Sequence, residues 1–196
     1  MMFQRIKMWF VWLQRIDKCR GFGIQSPSAY NFVCNVVNKP SNDLVYQQMR
    51  KKYPTNDQLE RKKAEFVFRL VHQLEVKQCF WSKDVASLIP QYANEGNPNC
   101  EQLFISEIED IALDLSKKSL IYVKLSDEIE NFITKIVHES SAETILVIDG
   151  INEHKAQKQF WKNLQANEQT GVCFDLYYIG VVFFDKRYPH KYIVNF

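Results

Sequence analysis

The sequence predicts an α/β fold, a mainly parallel sheet layered with helices and closed by an antiparallel end. Two changes of rhythm carry that reading. From Val76 onward, short β-rich apolar runs alternate with polar stretches of helical character, and each strand–helix–strand repeat demands a right-handed crossover and parallel neighbours. From Val172 the helical spacers disappear, so Val172–Tyr178, Val181–Phe184 and Lys191–Phe196 read as antiparallel strands. A third observation bounds the answer. The chain has 196 residues, 46% of them hydrophobic and 24% charged, with 6 Gly and 6 Pro, which suits one ordinary core and excludes a disordered or collagenous chain.

The elements follow in order. In residues 2–19 Phe3, Ile6, Trp9, Phe10, Leu13 and Ile16 recur at helical spacing among Arg5, Lys7, Arg15 and Lys18, opposed only by Asp17. Such a helix either packs its aromatic face on the domain or makes peripheral contact with an anionic membrane. Amphipathicity is the default for a surface helix, so packing is the preferred expectation. Gly21 and Gly23 end it. Ser26 then caps a helix that has Pro27 at its first position and stops at Lys39-Pro40. Residues 41–58 read as a polar connection, and 59–74 as an amphipathic helix with Leu59, Phe66, Leu70, Val71 and Leu74 inward. The predicted strands are Lys77–Trp81, Leu103–Ser106, Leu120–Leu125 and Thr144–Ile148, with helices at 84–93, 108–117, 127–139 and 153–166. Residues 1–75 form a helical extension expected to pack on the same core as the α/β part, 76–196.

Charge and cysteine usage exclude several classes. The 25 Lys and Arg against 23 Asp and Glu leave +2, which gives no reason to expect a nucleic-acid partner. Cys19, Cys34, Cys79, Cys100 and Cys173 are scattered, odd in number and free of C-x-x-C pairs, so reduced thiols in a cytoplasmic protein are expected. His72, His138, His154 and His190 are equally dispersed, and no metal is expected. No run approaches the roughly 18 apolar residues of a spanning helix. Met8–Leu13 is too short for a signal-peptide core.

In a parallel sheet, ligands sit beyond the carboxyl ends of the strands. Four turns there carry candidates: Trp81–Ser87, Glu107, Ser126-Asp127 and Asp149-Gly150-Ile151-Asn152. A nucleotide-type cofactor wants glycine after the first strand, where backbone must approach the ligand, and Trp81–Ser87 contains none. Glu107 suits ribose hydroxyls or a solvated helix start. Ser126-Asp127 suits a helix cap, and Asp149 either a ligand contact or a loop cap.

Two segments carry a resemblance. Arg20-Gly21-Phe22-Gly23-Ile24-Gln25-Ser26-Pro27-Ser28-Ala29-Tyr30 resembles the opening signature of a group of bacterial class I S-adenosylmethionine-dependent methyltransferase-like proteins. Phe174-Asp175-Leu176-Tyr177-Tyr178-Ile179-Gly180-Val181-Val182-Phe183-Phe184 resembles that group's closing segment. The resemblance implies a Rossmann-like three-layer sandwich and, for an intact member, S-adenosylmethionine held by Glu107 and Asp149. It also implies an acid and a Gly-containing loop after the first strand, where this chain has Trp81, Ser82 and Lys83. Between Glu107 and Leu120 there is room for one helix but hardly for a further strand, so a sheet shortened by its third strand is expected. The expected function is a degenerate, non-catalytic interaction or scaffold module with an unidentified protein partner and no cofactor. The alternative is an active S-adenosylmethionine-dependent methyltransferase with an atypical cofactor loop. One retained acid offers about 1.5–3 kcal/mol of charge-assisted hydrogen bonding. Micromolar affinity needs about 8 kcal/mol.

Overall fold

The computed structural model describes residues 2–18, 23–105 and 114–196. The chain divides into two compact units, Met1–Glu75 with Ala86–Asn99 and Val194–Phe196, and Val76–Val85 with Cys100–Ile193.

The first unit is helical: α1 Met2–Gln14, α2 Pro27–Phe32, α3 Leu44–Lys52, α4 Gln58–Leu74 and α5 Leu88–Gly96. Ser26 caps α2 through its side-chain oxygen, and Asp57 caps α4 by accepting from the Leu59 and Glu60 amides at 2.8 and 3.0 Å. A widened turn, Val33–Val37, prolongs α2, with Asn38 N–H reaching back to Val33 O at 2.8 Å. The carbonyls at its end are met by Arg69 of α4, whose Nε donates to Val36 O at 2.6 Å and whose Nη2 donates to Val37 O at 3.4 Å. Helix α3 lies inside the stretch 41–58 expected as a polar connection. Only Tyr46 and Met49 face inward, and Glu95 of α5 accepts from Lys52 and Tyr53 just after them at 2.7 and 2.8 Å. Helix α5 begins at Leu88 rather than 84, because Pro90 is tolerated only in a first helical turn.

The second unit holds the sheet, which is mixed and Rossmann-like. Its strands are β1 Gln78–Ser82, β2 Glu101–Ile105, β3 Ser119–Lys124, β4 Thr144–Asp149, β5 Val172–Asp175, β6 Ile179–Phe183 and β7 His190–Ile193, in the order β2-β1-β3-β4-β6-β5-β7. Strands β2, β1, β3 and β4 are parallel, and β6 joins β4 antiparallel. Helices α6 Glu130–Glu139 and α7 Lys155–Gln165 share one hydrophobic cluster with Phe80, Ile121, Leu146 and Val182, which stand side by side across four strands. The alternate residues Trp81, Tyr122, Val147 and Val181 are wholly buried too, so both faces of the central strands are dry.

Two differences from the sequence reading concern the edges of the sheet. The antiparallel hairpin is β5–β6, whereas β7 runs parallel to β5 on its outer side and does not pair with β6. The link from β6 to β7 passes close over Gly171, whose amide donates to Phe183 O at 2.9 Å; an added Cβ there would lie 2.1 Å from Asp185 O. The sheet keeps seven strands: among the described residues none lies outside β2, where a third strand would stand, while β7 extends the other edge. Of the helix expected at 108–117, residues 108–113 lie outside the described residues. The remainder is a bend in which Asp114 accepts from the Ser116 amide and hydroxyl at 3.1 and 2.6 Å.

Candidate functional site

A parallel sheet binds ligands where its strand order reverses, in the crevice past the carboxyl ends of the two strands that diverge. Here those strands are β1 and β3, because the crossover after β1 places β2 on one side and β3 lies on the other. Their ends are stitched together. The Ser82 hydroxyl oxygen accepts from the Lys124 amide at 3.2 Å, and the Val85 amide turns back onto Ser82 O at 3.0 Å. The cavity left beside them, walled by Ser82, Asp84, Ile105, Ser126, Ile129 and Phe132, measures about 10 Å³. That is about the space one water occupies. Small-molecule and cofactor sites run to roughly 300–1,000 Å³.

The residues around the seal serve the fold. Trp81 is wholly buried; its indole N–H donates to Gln102 Oε1 at 2.7 Å, and its ring lies 6.0 Å from that of Tyr122. Lys83 and Asp84 are exposed on the turn. No side chain in Trp81–Ser87 is glycine, so nothing there offers bare backbone to a nucleotide. In this turn the residues present give S-adenosylmethionine no bare backbone to lie against.

Of the two candidate acids, Glu107 lies outside the described residues. Asp149 ends β4, is nearly buried, and accepts from the Tyr122 hydroxyl at 3.1 Å. Burial, then the Asp149 carboxylate, pushes the Tyr122 phenol well above its ordinary pKa. Around Asp149 the chain is closed by further bonds. The Leu125 amide donates to Asp149 O at 2.8 Å, Gly150 N–H to Tyr178 O at 2.9 Å, and Asn152 Nδ2 to Tyr177 O at 2.9 Å. Gln157 Nε2 satisfies Leu125 O at 2.9 Å while Gln157 Oε1 caps the His154 amide at 3.0 Å. Ser126 and Asp127 open a short helical turn, Asp127–Ile129, ahead of α6, without a side-chain cap bond. Asp149 and the Ser126 turn are therefore tied into the end of the sheet.

A roomier hollow lies in the first unit, about 370 Å³ between Val37–Ser41, Lys62, Glu65, Arg69 and Phe196. Sequence reasoning missed it, since it gathers side chains from segments far apart in the chain. Its deepest cation is committed: besides its two carbonyl bonds, Arg69 Nη1 donates to Ser41 Oγ at 2.9 Å. Among the described residues no group of three or more His, Cys, Asp or Glu is placed to hold a metal ion. None of their helices is long and apolar enough to cross a membrane.

Helix α1 departs most from expectation. Ile6, Trp9, Phe10 and Leu13 stand at i, i+3, i+4 and i+7, the spacing of one helical stripe, and are 56%, 62%, 58% and 39% exposed. The packing expected for this aromatic face is not what the structure has. The helix is held from another side, by the buried Val11 and by bonds to residues 194–195.

No protein-family model matches the chain, and no curated protein matches it. Among solved structures, the chain is similar to an SAH-bound methyltransferase of Podospora anserina, PaMTH1, at TM-score 0.53 and 11% identity over 81% of this chain and 93% of that one. A protein of Thermobifida fusca, provisionally named a methyltransferase, aligns at TM-score 0.36 and 11% identity over 63% of this chain and 65% of its own. The first likeness shows a methyltransferase-like fold and nothing about activity; the second is too distant to carry an argument.

Proposed function

We propose that this chain is a methyltransferase-like protein without catalysis, acting as an interaction or scaffold module. The single observation that carries the reading is the turn after β1, Trp81–Ser87, which has no glycine where backbone would have to approach a nucleotide-type cofactor. Methyl transfer depends on holding the donor methyl in line with its acceptor, and that positioning supplies much of the rate. A turn without glycine after β1, with its Ser82 bonded to the Lys124 amide, supports no such hold. Function is argued from the site rather than from the fold, and the site favours a scaffold.

The alternative is an active S-adenosylmethionine-dependent methyltransferase, with Glu107 and Asp149 as its cofactor contacts. It draws on the fold likeness and on Asp149 standing at a strand end. Calorimetry with S-adenosylmethionine and S-adenosylhomocysteine separates the two. We expect no saturable binding up to about 1 mM, the concentration at which binding is worth about 4 kcal/mol. Micromolar binding that disappears in Glu107→Ala would restore the enzyme.

A further inference from the structure

We infer that α1 is a docking helix for an anionic lipid surface, with Ile6, Trp9, Phe10 and Leu13 entering the interface. Three observations carry this.

The stripe is presented outward by construction. Within the first unit, Asn195 Nδ2 donates to Trp12 O at 3.1 Å, the Asn195 amide to Lys18 O at 3.1 Å, and Arg15 Nη1 to Val194 O at 3.5 Å. Val11, off the stripe, is the one buried hydrophobic residue of the helix among those described. An ordinary surface helix turns its apolar stripe to the core and its polar side to water. This helix is tied down with its stripe in water.

The charge is placed to match. Residues 2–18 carry four of the chain's 25 Lys and Arg and one of its 23 Asp and Glu, a formal +3, so the rest of the chain stands at −1. The segment that shows the apolar stripe is itself basic. Lys18 is held by Asp17 at 2.7 Å, and no acid precedes Asp17. A basic segment that shows an exposed apolar helical face, with tryptophan among the apolar residues, is the kind that lies in the headgroup layer of anionic membranes. A protein groove would read the same i, i+3, i+4, i+7 anchors. The formal +3 of the segment, with Trp9 in its stripe, favours lipid.

The length fits lying rather than spanning. α1 has 13 residues, about 20 Å at 1.5 Å per residue, against a hydrocarbon core of about 30 Å.

The test is flotation of the full chain with vesicles of phosphatidylcholine alone and with phosphatidylglycerol added. Trp81 and Trp161 are already buried, so a blue shift of tryptophan emission on binding reports Trp9 and Trp12 entering the bilayer. The inference expects binding to the anionic vesicles with a blue shift, and release between about 0.1 and 1 M salt as the screening length falls from about 10 to 3 Å. Trp9→Glu/Phe10→Glu should weaken binding more than about tenfold while leaving the unfolding midpoint in place, since both side chains lie in water. Lys135→Glu on α6 should leave binding unchanged. Equal binding to neutral vesicles, loss of binding in both charge variants alike, or no binding at all would each overturn the inference. So would concentration-dependent self-association that the double variant abolishes, which would make the occupant a second copy of the chain.

Discussion

Trp81 and Trp9 are the same residue in opposite situations. Trp81 is 0% exposed on β1, with its N–H bonded to Gln102 and its ring beside Tyr122. Trp9 is 62% exposed on a helix whose stripe faces water. In one region an indole is part of the core; in the other it is held away from core. The contrast teaches that placement, not residue type, decides what an indole can do: Trp81 is committed to the sheet, and Trp9 stays at the surface.

The largest expected effect tests the first half of that contrast. Trp81→Ala removes a fully buried indole and strands the Gln102 acceptor, so it should cost about 3–5 kcal/mol in urea unfolding. A loss below about 1 kcal/mol would mean that the indole is not buried in solution. Next comes Gly180→Ala on β6. Its Cβ would lie 2.6 Å from the Trp161 ring, which is pinned by its own N–H bond to Asp175 Oδ2 at 3.2 Å. We expect about 1–3 kcal/mol of overpacking. Trp161→Phe should recover part of it when combined with Gly180→Ala. A neutral Gly180→Ala would show that the cluster under α7 is loose.

How far these features could be read in advance depends on what kind of interaction sets them. Strand runs such as Thr144–Ile148 are legible because a short apolar run, β-branched at all positions but Leu146, suits a strand buried on both faces. The placement of β7 was not, since parallel pairing with β5 depends on Gly171 admitting the chain above it, a contact between positions 171 and 185. Helix α3 escaped notice because two inward residues in nine give almost no periodic signal. For α1 the periodicity reveals the stripe but not the direction it faces, which is decided by bonds to residues 194–195 at the far end of the chain. At the site, the absence of glycine in Trp81–Ser87 could be read directly. The Ser82–Lys124 seal could not, because it joins positions 82 and 124 across two strands.

A smaller effect separates buried phenols from the exposed stripe by pH. Burial pushes the Tyr178 phenol up to about 12 from its ordinary 10.0, and it raises Tyr122 as well. A raised acid pKa means that the folded chain keeps protons the unfolded chain gives up, so stability falls as pH rises. The contribution is complete below pH 10 and is lost on the way through about 12. Tyrosinate absorbance, followed with circular dichroism, should show Tyr122 ionising only as the sheet unfolds. If all 9 tyrosines titrate near pH 10 with the dichroism unchanged, the packing around Asp149 is wrong.

The smallest effect belongs to Trp9→Ala, and its smallness is the point. The indole lies 62% in water, so its removal gives up little burial, and alanine is the better helix former by a few tenths of a kcal/mol. The two contributions oppose each other, and surface substitutions of this kind fall within about 0.5 kcal/mol of zero. Unfolding by urea should therefore place Trp9→Ala on top of the parent chain, while Trp81→Ala loses several of the about 5–15 kcal/mol that a folded domain possesses. A cost above about 1 kcal/mol for Trp9→Ala would mean that the stripe is covered in solution. Repeating the measurement across protein concentrations then decides how: a cost that fades on dilution places a second copy of the chain on α1, and a constant one places the stripe against the protein's own core.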